Sequence, residues 1–434
     1  MIKLLKLAQT NSFALLFEKV FRLTLSIAII SIMAKDFGVS LFGDFNSQIA
    51  LCTFFIPFAS LGLNKLVLKK MALDEDIKKA QNILSSAIAA RFIAGLLISF
   101  ISFAFFQNYA ISFFLFTQSF LAFQLCESVL QYEGKFKFVS YIRLLITLLF
   151  TVIKLAVLKL YPTVDAMLIV FAFEILIIEI TLLIIFKQSS SYRLSIRINT
   201  TLIISLLKSS LLLMISGVVA TVYLKFDIIM LQYLGSSHEA GIYSAAARIS
   251  EAWIFIPTIL LARFYPVLLS LQSTNKELYK VSLQYLMDKT FLFGLIVVFI
   301  IFLSAPLIIT GLYGEGFFES ILILQLHSLA TLFIAMRLLV SQWLIMNEGY
   351  MLSLLSHAAG AILNVILNYL LISNYGALGA TIATILSYFT ATYLCFFLTK
   401  KGREIRSSIS QSFMFFTRYK VFFNMQMPWR NRGF

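Results

Sequence analysis

The run Phe291-Leu-Phe-Gly-Leu-Ile-Val-Val-Phe-Ile-Ile-Phe-Leu-Ser-Ala-Pro-Leu-Ile308 carries no charge and a single hydroxyl. As a helix rising 1.5 Å per residue it covers about 27 Å, close to the ~30 Å hydrocarbon thickness of a bilayer. The stretch reads as the body of a membrane span, 284–308, and the same reading extends in both directions. Upstream it gives 13–34, 42–64, 83–106, 110–132, 138–160, 164–187, 200–224 and 240–268; downstream, 320–346, 350–372 and 376–399. The fold class expected is therefore an all-α polytopic membrane protein of about twelve transmembrane helices. The first span is too long, and lacks the small-residue cleavage site, to read as a removed signal peptide.

Composition agrees. Of 434 residues, 60% are hydrophobic and only 13% charged, against roughly 25% charged in soluble domains. The mean hydropathy is +0.92. With 44 Phe and 18 Tyr to bury, a soluble cytosolic enzyme is excluded. Cys52, Cys126 and Cys395 all fall in apolar stretches, and an odd number of such thiols supports neither a disulfide framework nor a metal cluster.

The net charge of +15 is explained by where it sits. With the N-terminus inside, the inner segments and the tail hold 24 Lys and Arg, whereas the outer loops hold three, Lys35, Lys159 and Lys225. That is the positive-inside asymmetry, with both termini cytoplasmic, so nucleic acid is not an expected partner. Cysteines introduced at Ser236 are expected to label from outside, and those at Ser190 and Ser408 only from the cytoplasm. Outside labelling of position 190 in sealed cells would overturn this topology. The chain then divides into an N-terminal lobe 1–187, a cytoplasmic linker 188–199, a C-terminal lobe 200–399 and a basic tail 400–434. The tail mixes eight bases with Phe413, Phe415, Phe416, Phe422, Phe423 and Trp429, as an interfacial amphipathic helix would; disorder is the alternative.

Two segments about 200 residues apart are alike. Gly38-Val-Ser-Leu-Phe-Gly43-Asp-Phe45 leads to Phe55-Ile56-Pro57, and Gly235-Ser-Ser-His-Glu-Ala-Gly241-Ile-Tyr243 leads to Phe255-Ile256-Pro257. Each opens the second span of a six-span half, which suggests two parallel repeats. The stretches Lys225-Phe-Asp227-Ile-Ile-Met230, Gly241-Ile-Tyr243-Ser-Ala-Ala-Ala-Arg248-Ile-Ser-Glu251, Ile256-Pro257 and Tyr265-Pro266 resemble the Wzx-type flippases of lipid-linked oligosaccharides. These belong to the polysaccharide-transporter branch of the MATE-like MOP superfamily. Phe37-Gly38…Phe42-Gly43, Leu61-Gly62-Leu63 and Tyr375-Gly376-Ala-Leu-Gly379-Ala380 are similar to the same pattern.

The resemblance implies two six-helix lobes, a place in the bacterial inner membrane and alternating access. Its implied cargo is an undecaprenyl-pyrophosphate-linked oligosaccharide, such as an O-antigen repeat unit of lipopolysaccharide. Membrane lipids, a polysaccharide polymerase and a chain-length regulator are the implied partners.

Charges within the spans are the candidate site, because an Arg at a helix centre costs about 2.5–3.5 kcal/mol on insertion scales. Glu18 and Arg22, and Arg248 and Glu251, are spaced for local pairing. Arg143, Lys154 and Arg263 lie near span ends, where snorkelling is expected. Arg91 and Arg337 have no acid within four residues. Either a distant acid such as Glu174 or Glu179 pairs with them, or they await an external anion, for which a pyrophosphate suits the paired donors of Arg. The cationic candidates for substrate are thus Arg91, Arg337, Arg248 and Arg22; those for H+ or Na+ coupling are Glu127, Asp227 and Glu174, with Glu179 beside them. No catalytic residue, metal site or other cofactor is expected: there is no phosphate-binding loop, and His238, His327 and His357 are scattered. A MATE-type cation antiporter is the first alternative, and a membrane-embedded polysaccharide polymerase the second. The latter calls for a sizeable outer loop, and no outer loop here exceeds about 16 residues.

Overall fold

Ten helical runs in the computed structural model, which describes residues 2–73, 76–195 and 199–414, are long and apolar enough to cross a membrane. Two of them are too long for one crossing. Val20–Ser60 has 41 residues and Tyr350–Leu398 has 49, about 60 and 73 Å as straight helix. Each contains one glycine whose backbone leaves the helix, Gly38 (φ 70°, ψ 176°) and Gly376 (φ 50°, ψ −131°). At Gly376 the chain doubles back on itself. A Cβ on Gly379 would lie 2.6 Å from the Leu371 carbonyl oxygen, and one on Gly360 would lie 2.9 Å from the Ala391 Cβ. In a straight helix those pairs would stand about 12 and 46 Å apart. Counting both glycine breaks, the ten runs supply the twelve expected spans. The chain is a multi-pass membrane protein, all-α among the described residues.

Two compact units divide at Lys225/Phe226. The first contains α1 (Ile2–Phe54), α2 (Ile56–Ser60), α3 (Leu63–Leu73), α4 (Ile77–Phe106), α5 (Tyr109–Phe120), α6 (Gln124–Tyr132), α7 (Phe136–Leu160), α8 (Val164–Ser189) and most of α9 (Thr200–Met230). The second contains the end of α9, then α10 (Ser237–Ala252), α11 (Phe255–Thr274), α12 (Lys276–Tyr313), α13 (Ser320–Met346), α14 (Tyr350–Thr392) and α15 (Arg403–Phe413). The division thus falls inside α9, just past the end expected for span seven at 224, and the body of α9 packs on the first unit: a Cβ on Gly62 would lie 2.6 Å from the Met214 backbone nitrogen.

The Phe-Ile-Pro repeat has a structural meaning in each unit. Helix α1 stops at Phe54 and α2 restarts at Ile56 with Pro57 in its first turn; α10 stops at Ala252 and α11 restarts at Phe255 with Pro257 close behind. Proline has no N–H to donate, so it suits a first turn, where that donor has no helical partner.

Linker residues 188–195 and 199 are held to the first unit. Tyr192 and Leu194 pack against the core around Leu84, Leu125 and Phe186. Ser85 Oγ accepts the Ser195 N–H at 2.7 Å, and Glu133 Oε1 accepts from Ser190 Oγ at 3.0 Å and the Ser191 N–H at 2.8 Å. Lys135 Nζ bridges Glu133 and the Ser189 carbonyl. Burial pushes the Glu133 carboxyl up, but these donors outweigh it and hold the group below its ordinary 4.5. A depressed carboxyl stabilises the latch above its ordinary value and loses that contribution as pH falls through the folded value. Trypsin at neutral pH is accordingly expected to cut after Arg193 faster in Glu133→Ala than in the parent chain. Equal cutting rates would show that Glu133 does not hold the linker.

The expected amphipathic tail is in part a packed helix. Ile405 and Ile409 of α15 are fully buried in the core formed with Leu286, Leu339 and Phe396. Ser408 is buried with them, so the exposed Ser407 is the better labelling position. Residues 415–434 and the side chain of Arg263 lie outside the described residues.

Candidate functional site

In the second unit a polar cluster forms where α9, α10, α13 and both limbs of α14 meet. Helix α10 is capped by Ser236 Oγ, which accepts the Glu239 N–H at 3.2 Å, and then runs Ala240-Gly-Ile-Tyr-Ser-Ala-Ala-Ala247, all buried. Side chains this small allow close helix approach. They bring Tyr243 onto Asp227, near the end of α9. Glu239 reaches across to accept the Ala377 N–H at 2.6 Å, which fixes the hairpin just after Gly376. A side chain at Gly376 would collide with that carboxylate. The hairpin register then sets Asn368 on the first limb opposite Thr384 on the second.

Asp227 is 2% exposed. Its Oδ2 accepts from the Tyr243 hydroxyl at 2.8 Å and from Thr384 Oγ1 at 2.6 Å, and its Oδ1 accepts from Asn368 Nδ2 at 2.6 Å. Asn368 Nδ2 also donates to Asn364 Oδ1 at 3.1 Å. His327 completes the shell, with Nδ1 2.6 Å from Ser250 Oγ and Nε2 3.3 Å from the Tyr243 hydroxyl. No Lys or Arg pairs with Asp227 among the described residues.

A buried carboxylate with only neutral donors around it calls for a proton or a cation. Asn368 Oδ1 is buried without a hydrogen-bond partner. Carboxylate, amide and hydroxyl oxygens of the kind that Asp227, Asn364, Asn368 and Thr384 carry are the ligands a hard cation takes. One carboxylate balances one positive charge, so a monovalent ion leaves the site neutral where a divalent ion would not.

Two of the other predicted acids, Glu127 and Glu174, differ from Asp227 in having basic ion-pair partners. Glu127 pairs with Arg143 at 2.5 Å and accepts from Gln131 Nε2 at 2.9 Å. Glu174 pairs with Lys154, whose ammonium also stands 3.7 Å from the Phe171 ring centroid. Arg143 and Lys154 are thus ion-paired within the first unit rather than snorkelling. Their acids are on neighbouring helices, where spacing along one helix cannot reveal them.

Arg91 is 2% exposed and donates from Nη1 to Asn64 Oδ1 at 2.5 Å, while its buried Nε has no partner. Glu179, also 2% exposed, lies within electrostatic range of Arg91, Arg143 and Glu127, with its Oε2 unpartnered. Arg337, 4% exposed, donates to the Ala391 carbonyl at 2.6 Å and to Ser356 Oγ at 2.7 Å, tying α13 to both limbs of α14. Arg22 keeps its local partner, Glu18, at 3.4 Å, and its side chain is 38% exposed. Arg248 is half-buried, with Glu251 and Tyr313 in electrostatic range.

Sequence reasoning named Asp227 but not Asn364, Asn368 or His327 as its neighbours. The signal was there in Asn364 and Asn368, two amides one helical turn apart in an otherwise apolar span.

A family model described as "Polysaccharide biosynthesis protein" matches residues 32–322, two thirds of the chain. A comparison with curated proteins gave no match. Among solved structures, the lipid II flippase MurJ in an inward closed conformation is 17% identical, with 97% of this chain and 94% of that one covered and a TM-score of 0.71. An inward-facing MATE-family multidrug resistance transporter of the MOP superfamily is 15% identical over 88% of this chain and 95% of that one, with a TM-score of 0.70. A mutant of the MATE transporter VcmN from Vibrio cholerae is 12% identical over 95% and 99%, with a TM-score of 0.60.

Proposed function

We propose, because the chain belongs to the polysaccharide biosynthesis protein family, that it is a flippase for a lipid-linked oligosaccharide of surface polysaccharide assembly. The cargo is an undecaprenyl-pyrophosphate-linked repeat unit, moved from the cytoplasmic to the outer leaflet of the bacterial inner membrane by alternating access. Synthesis of O-antigen or another surface polysaccharide is the setting, with a polymerase and a chain-length regulator as downstream partners. The protein is a transporter and catalyses no covalent step.

Asp227 is the observation that carries the coupling: Glu127 and Glu174 are ion-paired and Glu179 has Arg143 and Arg91 in electrostatic range, whereas Asp227 is held by neutral donors. In this reading the inward movement of one Na+ or H+ through Asp227 drives each cycle. Arg22 in the first unit and Arg248 in the second, the less buried of the four cationic candidates, are each candidates for contact with the pyrophosphate.

Deleting the gene tests the cargo. One surface glycan is expected to disappear while its lipid-linked precursor accumulates on the inner leaflet, and the intact gene should restore export. The fold is also close to that of a multidrug resistance transporter, which makes drug export the second reading. A normal surface glycan with raised sensitivity to cationic dyes would establish that reading and overturn the first.

A further inference from the structure

We propose that a groove between α12 and α15 in the second unit binds the phosphate of an anionic phospholipid headgroup. The groove holds about 690 Å³ and is lined by Lys280, Lys400, Lys401 and Arg403, with Glu404 as the one acid. All four bases are exposed, and together with Glu404 they leave the groove with a net charge of +3.

Its floor is fixed. Gln284 Nε2 donates to Asp288 Oδ1 at 2.7 Å, to the Ser408 carbonyl at 3.1 Å and to Ser412 Oγ at 3.1 Å. Ser412 Oγ donates to Asp288 Oδ1 at 2.6 Å, and Ile405 and Ile409 anchor α15 in the core. The bases are therefore carried on elements locked to each other, not on a loose tail.

A lipid, rather than a free anion, fits what adjoins the groove. Leu398 is 88% exposed and Phe397 52%, and they directly precede Thr399-Lys400-Lys401. Arg406 stands 4.6 Å from the Phe397 ring centroid. Bare apolar side chains beside a cluster of bases are the pattern of a membrane interface, with acyl chain against the one and phosphate against the other. The expected positive-inside topology puts this end of the unit at the cytoplasmic leaflet. The site does not depend on which cargo is moved.

The test uses the full-length protein purified in detergent, with native mass spectrometry counting retained phosphatidylglycerol and phosphatidylcholine. The parent chain is expected to retain phosphatidylglycerol preferentially. The combined variant Lys280→Gln, Lys400→Gln, Lys401→Gln should lose that preference at roughly five-fold per base removed, the effect of a charge near an anionic surface. A matched variant with Arg at the same three positions should keep it. Equal retention by the Gln variant and the parent, or loss in the Arg variant as well, would overturn the proposal. Displacement of bound phosphatidylglycerol by millimolar inorganic pyrophosphate as readily as by excess phosphatidylglycerol would also overturn it, since the groove would then read a free phosphoryl anion.

Discussion

Asp227→Asn is expected to abolish transport and, with it, the stabilisation of the folded protein by Na+. The carboxylate is enclosed by hydroxyl and amide donors at 2.6–2.8 Å, and no Lys or Arg among the described residues pairs with it. An amide at this position keeps the shape but turns one acceptor into a donor facing donors, at a cost of about 1–3 kcal/mol. That cost alone would lower stability without touching ion dependence, so the two effects separate. A ligand at a hundred times its Kd stabilises the folded state by about 2.7 kcal/mol. The parent chain should therefore unfold at a higher temperature in saturating NaCl than in choline chloride, and Asp227→Asn should show the same midpoint in both. Thr384→Val should weaken the Na+ effect while preserving some transport, because it removes one neutral oxygen and no charge. A full Na+ shift in Asp227→Asn would remove Asp227 from the coupling role. No Na+ shift in the parent, with transport following an imposed pH gradient, would assign the proton.

The parts of the fold legible in the sequence are those that depend on chain-local physics. Twelve apolar runs announce twelve spans, and Gly38 and Gly376 mark two helix breaks because only glycine takes those backbone angles cheaply. The Phe-Ile-Pro repeat announces two equivalent helix breaks. Its aromatic position shows how the halves diverge. Phe45 in the first unit packs against Phe171 as a tilted ring pair, centroids 5.4 Å apart, whereas Tyr243 in the second turns a hydroxyl to Asp227.

What stayed hidden depends on lateral neighbours. Glu127 and Arg143 are 16 residues apart, Lys154 and Glu174 are 20 apart, and Asp227 and Thr384 are 157 apart. Spacing rules reach only one turn along a helix, so a charge on one span says nothing of the acid on the next. Polar uncharged residues were the better guide to the site, since Asn364 and Asn368 have no reason to share one face of an apolar helix unless something polar meets them there.

Arg91→Ala is expected to reduce the amount of folded protein in the membrane, and Glu179→Gln in the same chain to restore most of it. Glu127, Arg143, Glu179 and Arg91 form a buried quartet with two charges of each sign. Only Glu127 and Arg143 touch as an ion pair. Arg91 donates to Asn64 and has Glu179 in electrostatic range. Removing the guanidinium leaves a net negative charge in the interior, and stranding one member of a buried pair costs about 3–5 kcal/mol. Neutralising Glu179 removes the stranded charge, so the double variant should recover.

Arg337→Ala should lose the hydrogen bonds to the Ala391 carbonyl and the Ser356 hydroxyl that tie α13 to both limbs of α14. Each such bond to a charged donor is worth about 1.5–3 kcal/mol. Lys there keeps the charge but not the fork that spans both acceptors, so Arg337→Lys should rescue only in part. Membrane abundance measured beside glycan export decides between helix pairing and substrate binding. Normal abundance with lost export in Arg91→Ala, and no benefit from Glu179→Gln, would place Arg91 on the pyrophosphate instead.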